Sequence, residues 1–414
     1  MSFFNSNNSS LTQTIAGNYY SYLVYLYAFL LPQPNKLKSG ALILLALMWL
    51  ATIKKSAPYL KNIIRNKVFL SFLFLYLLYL LSYLFSQHKK EAADFLLLQI
   101  SVPLLPLLFY KQLTKEQVRL TVLIFSISIF SVSLLALYKT YIVYFNAFPL
   151  TIGNLKSLDL AYFSFTMPIS VDFHAPYFSL YMCIGLVVIL NEIRAAAPQR
   201  NLTALIIYTL LAVYFFIFIA LLSSRTALFT TVSVVTALAV IYLLQQRKVW
   251  ITVFLLFAVM AGTFTAYQRV PYLHQKMSSF TGRDERASMW QAAMAIIKAH
   301  PVFGVGTGDD VEAQLEQYRL LGFENGIKEK YNAHNQYLDT TVSMGFLGLI
   351  FFLFSIATVF RYAVKARNPV LLAFILIFAL CCVTESLMHR QLGVVLFSFF
   401  CAIFVFANKP SLAE

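Results

Sequence analysis

The sequence predicts an all-α, polytopic membrane protein with about 12 transmembrane helices and a helical loop domain on one side of the membrane. Three observations support this fold class. Of the 414 residues, 60% are hydrophobic and only 12% are charged, whereas about a quarter of a soluble domain is charged. Apolar runs without any charge, such as residues 68–85, recur along the chain. A single long polar stretch, residues 269–335, interrupts them.

The apolar runs predict about twelve membrane segments, because a bilayer core of ~30 Å requires ~20 mostly apolar residues per helix. The segments lie near residues 19–32, 40–53, 68–86, 94–110, 119–145, 175–191, 202–222, 226–245, 249–268, 336–360, 369–386 and 391–407. Three parts follow from this order. Residues 1–268 hold transmembrane helices 1–9, residues 269–335 form a periplasmic helical loop region, and residues 336–414 hold transmembrane helices 10–12.

The basic residues predict the orientation, because short cytoplasmic loops are enriched in Lys and Arg. With the N-terminus inside, sixteen basic residues fall in inner loops and at the C-terminal tail: Lys54, Lys55, Lys61, Arg65, Lys67, Lys111, Lys115, Arg119, Arg194, Arg200, Arg247, Lys248, Arg361, Lys365, Arg367 and Lys409. Seven fall in short outer loops: Lys36, Lys38, Lys89, Lys90, Lys156, Arg225 and Arg390. Residues 269–335 are therefore predicted to lie outside, which in a bacterium is the periplasm.

Charge and cysteine usage argue against several function classes. The net charge is +15, but the basic residues lie mostly in short connections, where membrane topology explains them better than nucleic-acid binding does. The four cysteines, Cys183, Cys381, Cys382 and Cys401, all lie within apolar runs. No spacing of ligands indicates a zinc site or a disulfide framework. We expect no nucleic-acid partner, no metal and no cofactor.

The polar loop is predicted to contain two helices. The first opens with a capping box, Thr281 to Asp284, and carries an apolar stripe of Met289, Trp290, Ala293 and Ile297 that is typical of a packing surface. Pro301 ends this helix.

The second helix begins at Asp309 or Asp310, both interpreted as N-caps, and ends near Leu321 with Gly322 as its C-cap. The glycine-rich residues 304–308 follow no strand, so a dinucleotide site is not predicted there.

Four arginines are candidates for binding an anionic substrate. Arg283 and Arg286 share one face of a helix start, where cations are unfavourable unless an anion lies between them and the free backbone N–H groups. Neutralisation by neighbouring acidic residues is the alternative for both. Arg225 lies at an outer hairpin, where a snorkelling arginine is equally expected. Arg390 shares the last outer hairpin with Glu385, and the two could form an ion pair or contact a ligand.

Two histidines are candidates for a base at neutral pH. His334 lies where the loop re-enters the membrane, with Asn335 as a polar neighbour. His174 lies at the start of the sixth segment, close to Tyr177. The alternative for each histidine is a structural hydrogen bond at the membrane interface.

Three motifs stand in a fixed order along the chain: Ser224-Arg225-Thr226, the helix Arg286-x-x-x-Trp290 with its downstream Pro301 and Gly304-x-Gly306, and Ala333-His334-Asn335-Gln336-Tyr337. Together with the predicted topology they resemble the superfamily of O-antigen ligases and O-antigen polymerases, which are membrane glycosyltransferases. The resemblance covers most of the chain. It implies catalytic roles for Arg225, Arg286 and His334, and it places the family's acidic residue on Glu385. Arg283, Arg390, His174, Tyr177 and Asn335 are added as candidate substrate-binding residues.

The resemblance implies transfer of a preassembled glycan from undecaprenyl diphosphate, without a metal and with inversion at the anomeric carbon. In a ligase the acceptor is the lipid A-core oligosaccharide of lipopolysaccharide, and this is the activity that we expect. The alternatives are an O-antigen or exopolysaccharide polymerase and a protein O-oligosaccharyltransferase with the same donor. A flippase for the lipid-linked glycan is a further alternative, although its charges would be expected near the membrane midplane.

Overall fold

The structure is a computed structural model that describes residues 7–33, 37–52, 61–147, 160–199, 201–222, 224–254 and 285–408. Within these ranges the chain is helical, with turns, no strand and one isolated β-bridge between Leu113 and Asn408. The predicted all-α class is therefore confirmed. The predicted capping box at residues 281–284 and most of the ninth membrane segment lie outside the described residues.

The helices follow the apolar runs. They are α1 (Asn7–Leu30), α2 (Leu37–Ala51), α3 (Lys67–Phe85), α4 (Lys89–Gln99), α5 (Ser101–Phe109), α6 (Lys115–Ala147), α7 (Leu160–Ile169), α8 (Ala175–Ala196), α9 (Leu202–Leu222), α10 (Arg225–Gln245), α11 (Glu285–Ala299), α12 (Asp310–Leu321), α13 (Glu324–Glu329), α14 (Gln336–Lys365), α15 (Pro369–Cys381) and α16 (Gln391–Cys401), the last continued by a π-helical turn (Ala402–Phe406). Asparagine side chains accept backbone N–H bonds at the starts of α3, α14 and α15, which satisfies donors that a helix start leaves free.

Seven stretches among the described residues are long and apolar enough to cross a membrane: Lys67–Phe85, Lys89–Phe109, Lys115–Val143, Ala175–Ala196, Leu202–Leu222, Thr226–Leu244 and Gln336–Lys365. Three shorter apolar helices, Leu37–Ala51, Pro369–Cys381 and Gln391–Phe406, match further predicted segments. The multi-pass character is thus confirmed, and the count of twelve stays a prediction.

The bundle is packed through aromatic side chains at its centre. The ring of Phe400 in α16 lies 5.1 Å from that of Phe125 in α6 and 4.9 Å from that of Phe374 in α15. Such pairs contribute about 0.5–1.5 kcal/mol each beyond the area that they bury. Outward-facing apolar side chains such as Leu210 and Ile217 of α9 are 65% and 60% exposed, as expected where lipid is the solvent.

The region outside the bundle has small cores of its own. In α11, Met289, Ala293 and Ile297 are buried as the stripe predicts. Trp290 was predicted to belong to the buried stripe, but it is 36% exposed, and its Nε1 donates to the carbonyl of Ala333 at 3.0 Å. Its role is to hold the turn before α14. The predicted end of α12 is confirmed, since Gly322 takes the left-handed conformation with φ of 64°.

The glycine-rich turn has a structural role. Helix α14 is broken at Gly345, whose φ is 64°. The turn docks into this break, with Val305 N–H donating to Val342 O at 2.9 Å and Phe346 N–H donating to Pro301 O at 2.8 Å. A Cβ at Gly304 or at Gly345 would collide with backbone of the other segment. Glycine is therefore required here for close approach of two backbones.

Asp309 takes the predicted N-cap position of α12, but the predicted capping by its side chain is wrong, since no such hydrogen bond forms. The Asp309 carboxylate does not cap its own helix; it accepts the backbone N–H groups of Gln87 and His88 at 2.8 and 2.9 Å, at the start of α4. It also contacts His88 Nδ1 at 2.6 Å. Asp310 is only 5% exposed and accepts from the Ser343 hydroxyl at 3.0 Å. Both acids therefore connect α12 to other elements.

An ion pair with a buried carboxylate lies at the other end of the bundle. Near the start of α6, Arg119 donates from Nε and Nη2 to Glu192 Oε2 of α8, at 2.9 and 2.7 Å. Glu192 is 2% exposed. This pair fastens two membrane helices at the end that the basic residues assign to the cytoplasm.

Candidate functional site

Three segments meet at one end of the bundle, its mouth: the turn of residues 332–335 before α14, the hairpin of residues 382–390 between α15 and α16, and the first turn of α11. Gln336 joins the first two, because its backbone N–H donates to Cys382 O at 2.8 Å and its side-chain Oε1 accepts from Met388 N–H at 2.6 Å. The hairpin is thereby held against the start of α14. The site is built where these backbones converge.

Glu385 is the centre of the candidate site. Its Oε2 lies 3.4 Å from His334 Nδ1, and its Oε1 lies 3.7 Å from Arg286 Nη2. The Glu385 side chain is 13% exposed, against 36% for His334 and 34% for Arg286. Arg286 also donates to the Thr384 carbonyl at 3.4 Å. The structure thus brings together three predicted residues that lie far apart in the sequence.

The backbone holds His334 in an uncommon conformation. Its φ is 45°, in the left-handed region that a non-glycine residue rarely adopts. Hydrogen bonds fix the turn on both sides: His334 N–H donates to Asn332 Oδ1 at 3.1 Å, and the Asn335 side chain caps α14 by accepting from Tyr337 and Leu338 N–H. A strained backbone that its surroundings maintain is a feature of functional sites.

The structure describes the backbone of Arg225 but not its side chain, and it does not describe Arg283. Arg225 is the first residue of α10, and the Oγ1 of its neighbour Thr226 accepts from Thr384 Oγ1 at 2.9 Å, so the start of α10 abuts the hairpin. The side chain of Arg225 and the whole of Arg283 lie outside the described residues. Their predicted roles stay predictions.

The remaining candidates surround the hairpin. His174 precedes α8, and its pKa is lowered by partial burial and then by the positive charge of Arg390, while Glu385 acts in the opposite direction. Arg390 is exposed and directly precedes α16. Tyr177 is buried and donates from its hydroxyl to Ser386 O at 3.1 Å. Tyr177 and Asn335 therefore have structural partners, and their contact with a substrate stays a prediction.

Two residues near the site were missed by the sequence analysis. Asp339 is fully buried in α14, and Ser386 follows Glu385 in the hairpin. The Ser386 hydroxyl donates to the Asp339 carboxylate. A signal for Asp339 was present, since an acidic residue within an apolar membrane segment is itself a sign of function.

The arrangement suits acid–base chemistry beside a bound anion. With Nδ1 of His334 turned towards a carboxylate, its Nε2 is the nitrogen available to a hydroxyl group. Arg286 offers a planar donor fork that suits phosphate oxygens. Among the described residues, no group of three or more His, Cys, Asp or Glu side chains is placed to hold a metal ion.

Two comparisons with known proteins bear on this site. Residues 210–353 match the model of a family described as O-antigen ligase. The matched range includes Arg225, Arg286 and His334, whereas Glu385, Arg390 and His174 lie beyond it.

A second match, 31% identical over 99 residues, is to an uncharacterized protein of Haemophilus influenzae. That match spans 24% of this chain and 25% of the relative, so it covers only about a quarter of the relative's length. The family match supports the resemblance seen in the motifs: residues 210–353 of the chain are similar to the O-antigen ligase family.

Proposed function

We propose that the protein is an O-antigen ligase-like glycosyltransferase of the bacterial inner membrane. It transfers a glycan from undecaprenyl diphosphate to the lipid A-core oligosaccharide at the periplasmic face. The observation that carries this proposal is the placement of Glu385 between Arg286 and His334 at the mouth of the bundle. An arginine and a histidine on one carboxylate provide an anion-binding group and a base within a single site.

The reaction is a single displacement. The acceptor hydroxyl oxygen attacks the anomeric carbon, and its proton passes to His334 Nε2. The bond between that carbon and the diphosphate oxygen breaks, and its electron pair leaves with the diphosphate. Configuration at the carbon is inverted. Glu385 stabilises the imidazolium that forms, because its carboxylate faces Nδ1.

The leaving diphosphate gains negative charge as the bond breaks, and fixed positive charge lowers the barrier. Arg286 is suited to this task because its contact with Glu385 is long, at 3.7 Å, so a phosphate oxygen can compete for the guanidinium. Arg225, at the start of α10, is assigned to the same diphosphate. We expect turnover to persist in excess chelator, and restoration of a lost activity by magnesium or manganese would contradict the proposed role of the arginines.

A gene deletion distinguishes the ligase from its alternatives. In a ligase mutant, lipopolysaccharide on a gel lacks all long chains, and expression of the gene restores them. A single repeat unit on the core indicates a polymerase instead, and unchanged lipopolysaccharide with loss of a glycoprotein indicates a protein O-oligosaccharyltransferase. Purified protein in vesicles provides the remaining arm: movement of lipid-linked glycan without any transfer would identify a flippase.

The periplasmic placement of the site has its own test. Single cysteines are placed at Glu316 in α12 and at Ala366 after α14, both of which are exposed. The four native cysteines are buried, so background labelling is low. An impermeant thiol reagent should label Glu316→Cys and not Ala366→Cys in intact spheroplasts. Labelling of Ala366→Cys alone would reverse the orientation.

A further inference from the structure

Asp339 is a buried charge that the proposed reaction does not use. It lies in the first turn of α14 and has no exposed surface. Three donors converge on its carboxylate: Ala333 N–H at 2.9 Å and Gln314 Nε2 at 3.5 Å reach Oδ1, and the Ser386 hydroxyl reaches Oδ2. Burial of a carboxylate is unfavourable unless it is well paired. Its presence in an apolar helix therefore requires an explanation.

The positions of the donors supply one. Ala333 immediately precedes His334, and Ser386 immediately follows Glu385. One carboxylate thus bonds the backbone beside the base and the side chain beside its acidic partner. The gap between His334 Nδ1 and Glu385 Oε2 is 3.4 Å, which is longer than an ideal hydrogen bond. A small displacement of either backbone would open it.

The conformation of His334 adds to this requirement. A left-handed non-glycine residue costs of order 1–3 kcal/mol and persists only where neighbouring groups impose it. The backbone of Ala333 is held on both sides, because its N–H donates to Asp339 and its carbonyl accepts from Trp290. Loss of the Asp339 contact would free the N–H end of that residue. The imidazole would then no longer have a fixed direction.

A neighbouring acid provides the contrast. Asp310 is also buried, and burial raises its pKa to about 6, with the Asp339 charge acting in the same direction and His389 opposing it. The Asp310 carboxylate accepts from the Ser343 hydroxyl, one turn of α14 beyond Asp339. No hydrogen bond described for Asp310 reaches the residues on either side of His334 or Glu385. The two acids thus share an environment, but only Asp339 bonds to both segments of the site.

We propose that Asp339 is a positioning residue that holds His334 and Glu385 in contact, by bonding the residue before the first and the residue after the second. This inference rests on the proposed function in one respect, namely that His334 acts as the base. It adds a residue outside the three motifs on which the superfamily resemblance is based.

The test uses a matched pair of serine variants in the full-length protein in detergent micelles. Ser386→Ala removes the donor that links Asp339 to the hairpin, without a change of charge. Ser343→Ala removes an equally buried hydroxyl from α14 that bonds the Asp310 carboxylate and the backbone carbonyl of Asp339, but not the Asp339 carboxylate. The first measurement is the NMR signal of the His334 imidazole in protein with labelled histidines and without any substrate, assigned through its loss in His334→Gln.

We expect Ser386→Ala to shift the His334 signal towards its position in Glu385→Gln, because both variants weaken the contact between the imidazole and the Glu385 carboxylate. Arg286, which shares Glu385 with His334, and His174, which interacts with His334, are unchanged in both serine variants. The second measurement is the rate of transfer: kcat should fall roughly 10- to 100-fold while KM for the lipid-linked donor is unchanged. Ser343→Ala should leave both quantities as in the wild type.

A double variant separates positioning from a direct effect of structure elsewhere. If Asp339 acts through the contact with Glu385, adding Ser386→Ala to Glu385→Gln should not shift the His334 signal further. Asp339→Asn should give a larger effect in the same direction as Ser386→Ala. Should Asp339→Asn fail to fold, the Ser386→Ala measurement alone decides.

Equal shifts in Ser386→Ala and Ser343→Ala, or no shift in Ser386→Ala, would overturn the inference. A shift of the His334 signal in a protein that transfers no glycan would leave the positioning role intact and refute the proposed function. The reverse result, active wild-type enzyme with an unmoved His334 signal in Ser386→Ala, would refute positioning alone.

Discussion

Two arginine–glutamate pairs lie at opposite ends of the bundle and differ in geometry. Arg119 and Glu192 make two short hydrogen bonds, of 2.7 and 2.9 Å, with the carboxylate almost fully buried. Arg286 and Glu385 approach only to 3.7 Å, and Glu385 is shared with His334. The first pair is saturated, since its partners satisfy one another. The second pair has a longer contact, and its carboxylate is shared between two partners.

The difference shows how the same residue types serve two purposes. A close, buried pair fixes two helices because separating its partners would leave a charge unpaired in a low-dielectric environment. In a pair with a long contact the arginine can exchange its carboxylate for a new partner, so such a pair suits a binding site for an anion. Substitutions in the Arg286–Glu385 pair should therefore change the rate of transfer, and substitutions in the Arg119–Glu192 pair should change stability.

The largest expected effect is on His334. His334→Ala should bind the lipid-linked donor nearly as the wild type does, while single-turnover transfer falls ~10²–10⁴-fold, because a general base contributes to the reaction step and not to binding. Donor affinity and the single-turnover rate are measured in folded protein. If His334→Ala lost donor affinity as badly as an arginine variant, His334 would belong to the diphosphate site and Glu385 would become the candidate base.

The next effect concerns Arg286. Arg286→Ala should weaken donor binding by about 1.5–3 kcal/mol, which is the range for a hydrogen bond to a charged group. Transfer should fall as well. Arg286→Lys should restore part of the affinity, since it keeps the charge and loses the planar fork. Donor binding that is unchanged in Arg286→Ala would remove this residue from the diphosphate site.

Arg119 belongs to the ion pair at the opposite end of the bundle from Arg286. Arg119→Ala should lower the free energy of unfolding by about 1–3 kcal/mol, because it leaves the buried Glu192 carboxylate without its donors. This loss of stability is smaller than the loss expected on breaking a fully buried ion pair, because the Arg119 side chain is 46% exposed. Denaturation in mixed micelles measures the change. At a temperature where both proteins are fully folded, donor affinity should be the same in Arg119→Ala and in the wild type. A loss of affinity comparable to that of Arg286→Ala would contradict the contrast between the two pairs.

The smallest expected effect belongs to a third, exposed pair, His88 with Asp309. The hydrogen bond to Asp309 raises the pKa of His88, so its stabilisation is complete below the ordinary value of 6.5 and is lost as pH rises through the folded pKa. Burial tends to raise the pKa of Asp309, but the N–H groups of His88 and Gln87 lower it. Its stabilisation is present above the ordinary value of 3.8 and is lost at lower pH.

The pair should therefore be most effective between pH 3.8 and 6.5. We expect the difference in Tm between wild type and His88→Gln to shrink as the pH is raised from 6 to 9, and comparison with the variant removes the contribution of Asp310. A difference that grows with pH would contradict the sign of the His88 shift. Transfer activity should be the same in both proteins, which distinguishes this outer pair from Arg286 and Glu385.

Local signals predicted local structure well. The end of α12 at Gly322 followed from a C-cap that depends on one residue, and the buried face of α11 followed from its helical spacing. Asp309 was misinterpreted because its partner, His88, lies 221 residues away. A cap at a helix start and a bond to a distant helix require the same residue type, so the sequence could not distinguish them.

The candidate site shows the same limit. His334 and Arg286 were found from motifs, but their common partner Glu385 lies 51 residues beyond His334, and its neighbour Thr384 lies 98 residues beyond Arg286. Only the fold brings these residues into contact. Asp339 carried a recognisable signal, a charge in an apolar segment, although its link to Ser386 depends on how the hairpin packs against α14. Residue types were predictable, and their pairing was not.

The break in α14 at Gly345 has a mechanical consequence. Four backbone hydrogen bonds join the two segments there: Val305 to Val342, Gly306 to Ser343, Phe346 to Pro301 and Leu347 to Val302. The outer turn is thus spliced into a membrane helix and moves with it as one stiff unit. It cannot swing about α14 like a hinged lid, so any widening of the mouth for a bulky lipid-borne glycan has to come from other elements. In hydrogen-exchange experiments these four amides should exchange as slowly as those of the helix core.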